Sequence, residues 1–294
     1  MTINHISDIK NSGLSRTIAL VEQIMGGTQY TNSLDGIGRL LNDLTASHPF
    51  VRYSMAGNFQ VYRGRIHEDD HFYLNISELS YRKPEDTKGY GRCHSPGQSV
   101  FYSSNNRDTV FSELTPEMGN YVTIVTANPK EKKELYLMQI GAIDDARRYG
   151  LSFTDLSLSD SDKEIKKIFD KLNSSSPQDK EDSLKTIFLD AFMADMFMSP
   201  ASKQRDYKVT AVLSSIICSR FSPEMGGLIY PSVAHRGGFN YAFNSEQFDQ
   251  KMEICKCEKF ELTRYLGFGI YERKLVAKSD EIKGDGEISW IETR

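Results

Sequence analysis

Apolar residues in SRTIALVEQIM (15–25) and LDGIGRLLNDL (34–44) return every three or four positions, the period of an amphipathic helix. Asn32 or Ser33 stands where the second helix needs a cap. The pair predicts a helical N-terminal extension over residues 1–48, too short for a core of its own. From residue 58 the period shortens to two. NFQVYRGRI (58–66) alternates and is rich in β-formers, which predicts a strand. After a polar loop to about residue 98, SVFYSS (99–104) predicts a short strand and RDTVFSEL (107–114) a helix capped by Asn105 or Asn106. YVTIVTA (121–127) and ELYLMQIG (134–141) read as strands. Residues 158–200 read as two helices joined by SSSPQDKED, and KVTAVLSSIICSRF (208–221) as another. GLIYPSV (227–233), GGFNYAFN (237–244) and FELTRYLGFGIYERKLVA (260–277) supply the remaining strands. The predicted class is α+β: one mixed β domain over 49–294, interrupted by a helical insert at about 150–205.

Composition narrows the partners. The 294 residues carry 36 basic and 40 acidic side chains, a net charge of -4. Binding to a phosphate backbone draws on a basic surface, so nucleic acid is not an expected partner. Four cysteines, Cys93, Cys218, Cys255 and Cys257, are too few for a disulfide scaffold. The C-x-C spacing of Cys255 and Cys257 is not that of a zinc knuckle, so free thiols and no metal are expected. The N-terminus lacks a basic start followed by an apolar run, and no stretch approaches the roughly 20 apolar residues of a membrane span. The expectation is a cytoplasmic protein that does not engage a membrane.

Four pieces ask for more than packing. Arg63 and Arg65 in Tyr62-Arg63-Gly64-Arg65 share a strand face, because side chains alternate with period two. Two guanidiniums side by side repel unless anions sit nearby, and an anionic ligand such as a diphosphate would supply them; a solvated face or carboxylate pairing would serve as well. GRCHSPGQSVFYSSNN (91–106) offers Arg92 as a phosphate-seeking donor, and Tyr102 as a ring face and hydroxyl, in a loop that otherwise reads as a tight hairpin. Glu113 in TVFSEL has apolar helix neighbours Val110, Phe111 and Leu114, a costly place for a carboxylate that is neither paired nor used. Ser232, after Pro231 at a strand end, precedes the flexible Arg236-Gly237-Gly238, although a turn serine would look the same. His235 alone reads as a loop histidine.

The order of these motifs is more telling than any one of them. Tyr-Arg-x-Arg, then Gly-Arg-x-x-x-Pro-Gly-x-x-x-x-Tyr, then a helix ending in Ser-Glu, then Gly-Leu-Ile-Tyr-Pro-Ser-x-x-x-x-Gly-Gly-x-Asn resembles the RES domain family over about residues 59–244. The resemblance implies a fold similar to the ADP-ribosyltransferases and an activity on NAD as substrate, by hydrolysis or phosphorolysis. Such proteins are typically toxins of toxin–antitoxin pairs; some modify a protein with ADP-ribose instead. By motif position it implies Glu113, Arg63 and Ser232 as catalytic residues and Tyr62, Arg65, Arg92 and Tyr102 as NAD-binding ones. His94 departs from the asparagine common after Gly-Arg-x, and the chain is longer than the compact toxins. An antitoxin protein and a second copy of the chain stand as candidate partners. The rivals are a transferase that labels a protein target and a catalytically inactive binding module of the same fold.

Overall fold

The computed structural model describes residues 13–26, 33–150, 160–199 and 204–293. In chain order the helices are α1 (Gly13–Gly26), α2 (Leu34–Thr45), α3 (Arg107–Leu114), α4 (Ala142–Tyr149), α5 (Asp160–Leu172), α6 (Pro177–Met198), α7 (Gln204–Arg220) and α8 (Ser245–Lys251). The strands are β1 (Val51–Met55), β2 (Val61–His67), β3 (Val100–Ser104), β4 (Tyr121–Pro129), β5 (Leu135–Gln139), β6 (Met225–Pro231), β7 (Phe239–Asn244), β8 (Met252–Gly267), β9 (Ile270–Ser279) and β10 (Ile291–Glu292). The fold is therefore mixed α and β, with ten strands in the order β1-β5-β6-β7-β3-β2-β4-β8-β9-β10.

The chain divides into two compact units. The first takes the described residues of Met1–Tyr53, Tyr90–Ser95 and Met138–Arg220; the second takes Ser54–Gly89, Pro96–Leu137 and Phe221–Arg294. Within the first, α2 packs against α7, and α1, α4 and α5 against α6. Of the two candidate caps, Ser33 caps α2, its hydroxyl accepting from the Gly36 amide at 3.0 Å. Asn32, residues 1–12 of the expected extension, and residues 151–159 and 200–203 of the expected insert lie outside the described residues.

The second unit is built on antiparallel strands. β2 runs beside β4 in register over seven residues, Val61↔Ala127 through His67↔Tyr121. On its other side β2 meets β3 at a single pair, Tyr62↔Ser104. Beyond that pair the two strands part. β3 continues along β7, which pairs with β6. Paired residues share a face, so Tyr62, Gly64, Tyr102, Ser104 and Asn240 point one way, and Arg63, Arg65 and Phe101 the other. The first face is covered by α3. Val110 and Phe111 pack there with Val122, Ile124 and Phe260 in the core. Gly64 permits this approach: a Cβ built on it would stand 2.5 Å from Val110 and 2.7 Å from Leu114.

Several expected boundaries move. Residues 58–60 precede the strand, with Asn58 in a turn, and β5 ends at Gln139 before a turn into α4. β1 and α8 were not expected, and β8 starts at Met252, eight residues before the expected 260. The early part of β8 carries Glu253, Lys256, Glu258 and Lys259, which break the apolar alternation that marks a strand.

Candidate active site

α3 presents the carboxylate. Asn106 caps the helix, its side chain accepting from the Thr109 amide at 2.8 Å, and Asp108 lies in the first turn where negative charge suits the helix dipole. The helix stops at Thr115, which is left-handed at φ 47°. Glu113, one position before the last helical residue, is exposed. It is nevertheless fixed. Ser232 Oγ donates to its Oε1 at 2.6 Å, and Asn240 Nδ2 donates to the same oxygen at 2.6 Å. Both donors are buried, at 5% and 7% exposure. The proton positions follow from the partners. The His235 amide donates to Ser232 Oγ at 3.0 Å, and an ionised carboxylate only accepts, so the serine proton points at Glu113. Ser104 Oγ donates to Asn240 Oδ1 at 2.7 Å, which turns the Asn240 amide nitrogen toward Glu113. The second oxygen, Oε2, has no partner among the described residues.

The loop between β6 and β7 carries the serine. Ser232 N donates to the Gly238 carbonyl at 2.8 Å and Gly238 N to the His235 carbonyl at 2.9 Å, closing a tight turn. His235 Nδ1 meets Thr109 Oγ1 at 2.7 Å, tying this loop to α3. Only glycine fits at 238, since a Cβ there would stand 2.5 Å from Thr109 Oγ1 and 3.0 Å from His235 Nδ1. Asn105 completes the frame: its Oδ1 accepts from the Phe239 amide at 3.0 Å and lies 3.1 Å from Thr109 Oγ1.

The other expected site residues divide. Tyr62 and Tyr102 share the sheet face of Ser104 and Asn240, and the Arg107 guanidinium stacks 4.7 Å over the Tyr62 ring while pairing with Glu258. Arg63 and Arg65 occupy the opposite face. Arg63 donates from Nε to the Leu79 carbonyl at 3.0 Å and from an Nη to the Tyr102 carbonyl at 2.9 Å, where β2 and β3 have parted. Burial, with repulsion from Arg65 and Arg82, pushes its pKa down to about 10. Arg65 lies against the Tyr73 hydroxyl. Arg92 falls in the first unit, donating to the Phe197 carbonyl at 2.5 Å and stacking 5.4 Å over Tyr207. The structure thus joins Glu113 and Ser232 directly and gives Arg63 no hydrogen bond to either. Sequence reasoning assigned no role to Asn240 or Thr109, and it read His235 as a loop histidine, the place it takes here. The Gly-Gly-x-Asn signature contains Asn240, but only the register of β7 with β3 reveals its partner.

An exposed carboxylate locked by buried donors, on a mixed α/β scaffold, defines an enzyme-like polar centre. The RES domain family model matches residues 62–263, and the chain belongs to that family. Members of the family are generally associated with NAD-related enzymatic activity. Neither the curated proteins nor the solved structures contain a match. No helix among the described residues is long and apolar enough to cross a membrane.

Proposed function

We propose that this chain consumes NAD by cleaving the bond between nicotinamide and ribose, on an ADP-ribosyltransferase-like fold. The reading is carried by the Glu113 carboxylate, with Oε1 held by two donors and Oε2 left for substrate. Family membership supports it. In the proposed reaction the C1′–N bond breaks and its electron pair goes to the pyridinium nitrogen, so nicotinamide leaves neutral. Positive charge builds on the ribose. A preorganised carboxylate stabilises that charge without having to reorient as it develops. Oε2 accepts from a ribose hydroxyl or from the incoming nucleophile. Water then forms the C1′–O bond and releases one proton, giving ADP-ribose; inorganic phosphate would give the 1-phosphate.

Ser232 and Asn240 act in this scheme as positioning residues for Glu113. Tyr102 and Tyr62 supply ring faces on the same side of the sheet. Arg63 steadies β3 beneath Tyr102, because two of its donors are spent on carbonyls. Arg236 takes the diphosphate: it is exposed, without a partner among the described residues, on the turn that holds Ser232. An antitoxin partner and toxicity through NAD loss belong to the same proposal.

The test is NAD loss over time, with and without inorganic phosphate. Glu113→Gln is expected to lower turnover on the order of 10²–10³-fold with the fold retained, by analogy with loss of one transition-state donor. Turnover equal to wild type would remove Glu113 from the mechanism. Label from NAD retained on a protein, with no free ADP-ribose or its phosphate, would reassign the chain to the transferases.

A further inference from the structure

The segment His67-Glu68-Asp69-Asp70-His71 leaves the end of β2 on the sheet face away from Glu113. We propose that His67, Asp69 and His71 form a binding site for a divalent transition-metal cation, with zinc the best fit. One ligating atom from each of the three lies within 4.8 Å of the others. The Asp69 carboxylate already contacts His71 Nδ1. The imidazole rings of His67 and His71 stand 4.5 Å apart between centroids. Two imidazoles and one carboxylate are a borderline-soft donor set, which suits zinc better than magnesium or calcium. Asp69 and His71 are exposed, so small side-chain rotations can bring the three atoms to the bond lengths of about 2.0–2.2 Å that zinc requires. Solvent fills the remaining position.

The loop is held in shape before any ion arrives. Lys259, fully buried and flanked by the Phe72 and Tyr121 rings at 3.9 and 4.7 Å, binds the Asp70 carboxylate and donates to the His71 carbonyl at 2.9 Å. Asp70 thereby neutralises the nearby cation, while Glu68 and Asp69 keep the local field negative. Thr123 Oγ1 lies 3.1 Å from His67 Nε2. With Nδ1 on the metal in place of its 2.8 Å contact with the Asp69 carbonyl, Nε2–H donates to that hydroxyl. Such a partner fixes the tautomer and orientation of a ligating histidine.

This site is independent of the NAD proposal, and its test reads binding alone. Zinc chloride titrated into the full-length protein against a chromogenic chelator is expected to show one equivalent bound. His71→Ala, on an exposed side chain, is expected to abolish it with the circular dichroism spectrum unchanged. Thr123→Ala is expected to weaken it about tenfold. His67→Ala is the harsher variant, since His67 is buried, and it is read only if it folds. Absence of binding to wild type would overturn the proposal. So would zinc retained in His71→Ala, which would move the ion elsewhere, the Cys255–Cys257 pair being the obvious rival.

Discussion

Glu113 is exposed and yet anchored by two hydrogen bonds to one of its oxygens. An exposed glutamate ordinarily samples many rotamers and loses that freedom only against a compensating interaction. Here two buried donors supply it, and hydrogen bonds to a charged group are worth about 1.5–3 kcal/mol each. Asn240→Ala removes one of them and leaves Ser232 as the sole anchor. At about 1.4 kcal/mol per tenfold, kcat for NAD cleavage is expected to fall roughly 10–100-fold with a smaller change in KM. Steady-state kinetics decide this, and an unchanged kcat would show that Ser232 alone holds the carboxylate. Arg236→Ala is expected to act in the opposite sense, raising KM several-fold and sparing kcat. Glu113 and Ser232 were legible in the sequence because a carboxylate among Val110, Phe111 and Leu114, and a serine ahead of Gly-Gly, each stand out locally. Asn240 and His235 were not, because what they do depends on partners 127 and 126 residues away.

At the scale of elements, α3 is the part that must be placed correctly, and Gly64 is what lets it sit against β2. Gly64→Val would force a side chain against Val110 and Leu114. Overpacking of this kind costs about 1–3 kcal/mol. The melting temperature is expected to fall, and NAD turnover to fall with it, since Glu113 rides on the displaced helix. A thermal melt alongside the kinetic assay checks both; a stable, fully active variant would show that α3 need not lie so close. The sequence revealed α3, β2 and β4 clearly, because cap, period and β-branched content agree there. It concealed α8, whose SEQFDQK has only Phe248 buried, and the first half of β8, where Lys259 is fully buried between aromatic rings.

At the scale of the whole molecule, one half-buried carboxyl ties stability to pH. In the first compact unit, burial and then the neighbouring Asp190 and Asp144 raise the Asp145 carboxyl to about 7, with Gln139 and Arg148 partly offsetting them. Asp190 is itself committed: its Oδ2 accepts from the Ile143 and Asp144 amides at 2.8 Å each, and its Oδ1 lies 3.4 Å from His48. A carboxyl that holds its proton more tightly folded than unfolded stabilises the fold least once the unfolded form has ionised. Stability is therefore expected to decline as pH rises from about 4 to about 7. Asp145→Asn should remove that slope and raise the melting temperature more at pH 8 than at pH 5. Equal shifts at both pH values would show that Asp145 does not drive the dependence. Nothing in the sequence marks residues 90–95 as part of this unit, because an excursion of six residues leaves no periodic mark.

The two oxygens of Glu113 have different freedoms, and that division bears on how such proteins diversify. In the proposed reaction the fastened oxygen secures the geometry, whereas the open one meets whatever acceptor arrives. Exchanging water for phosphate, or for a residue on another protein, would leave the fastening untouched. Under the proposed NAD cleavage, descendants of this chain could thus change what they make by reshaping the approach to the open oxygen alone.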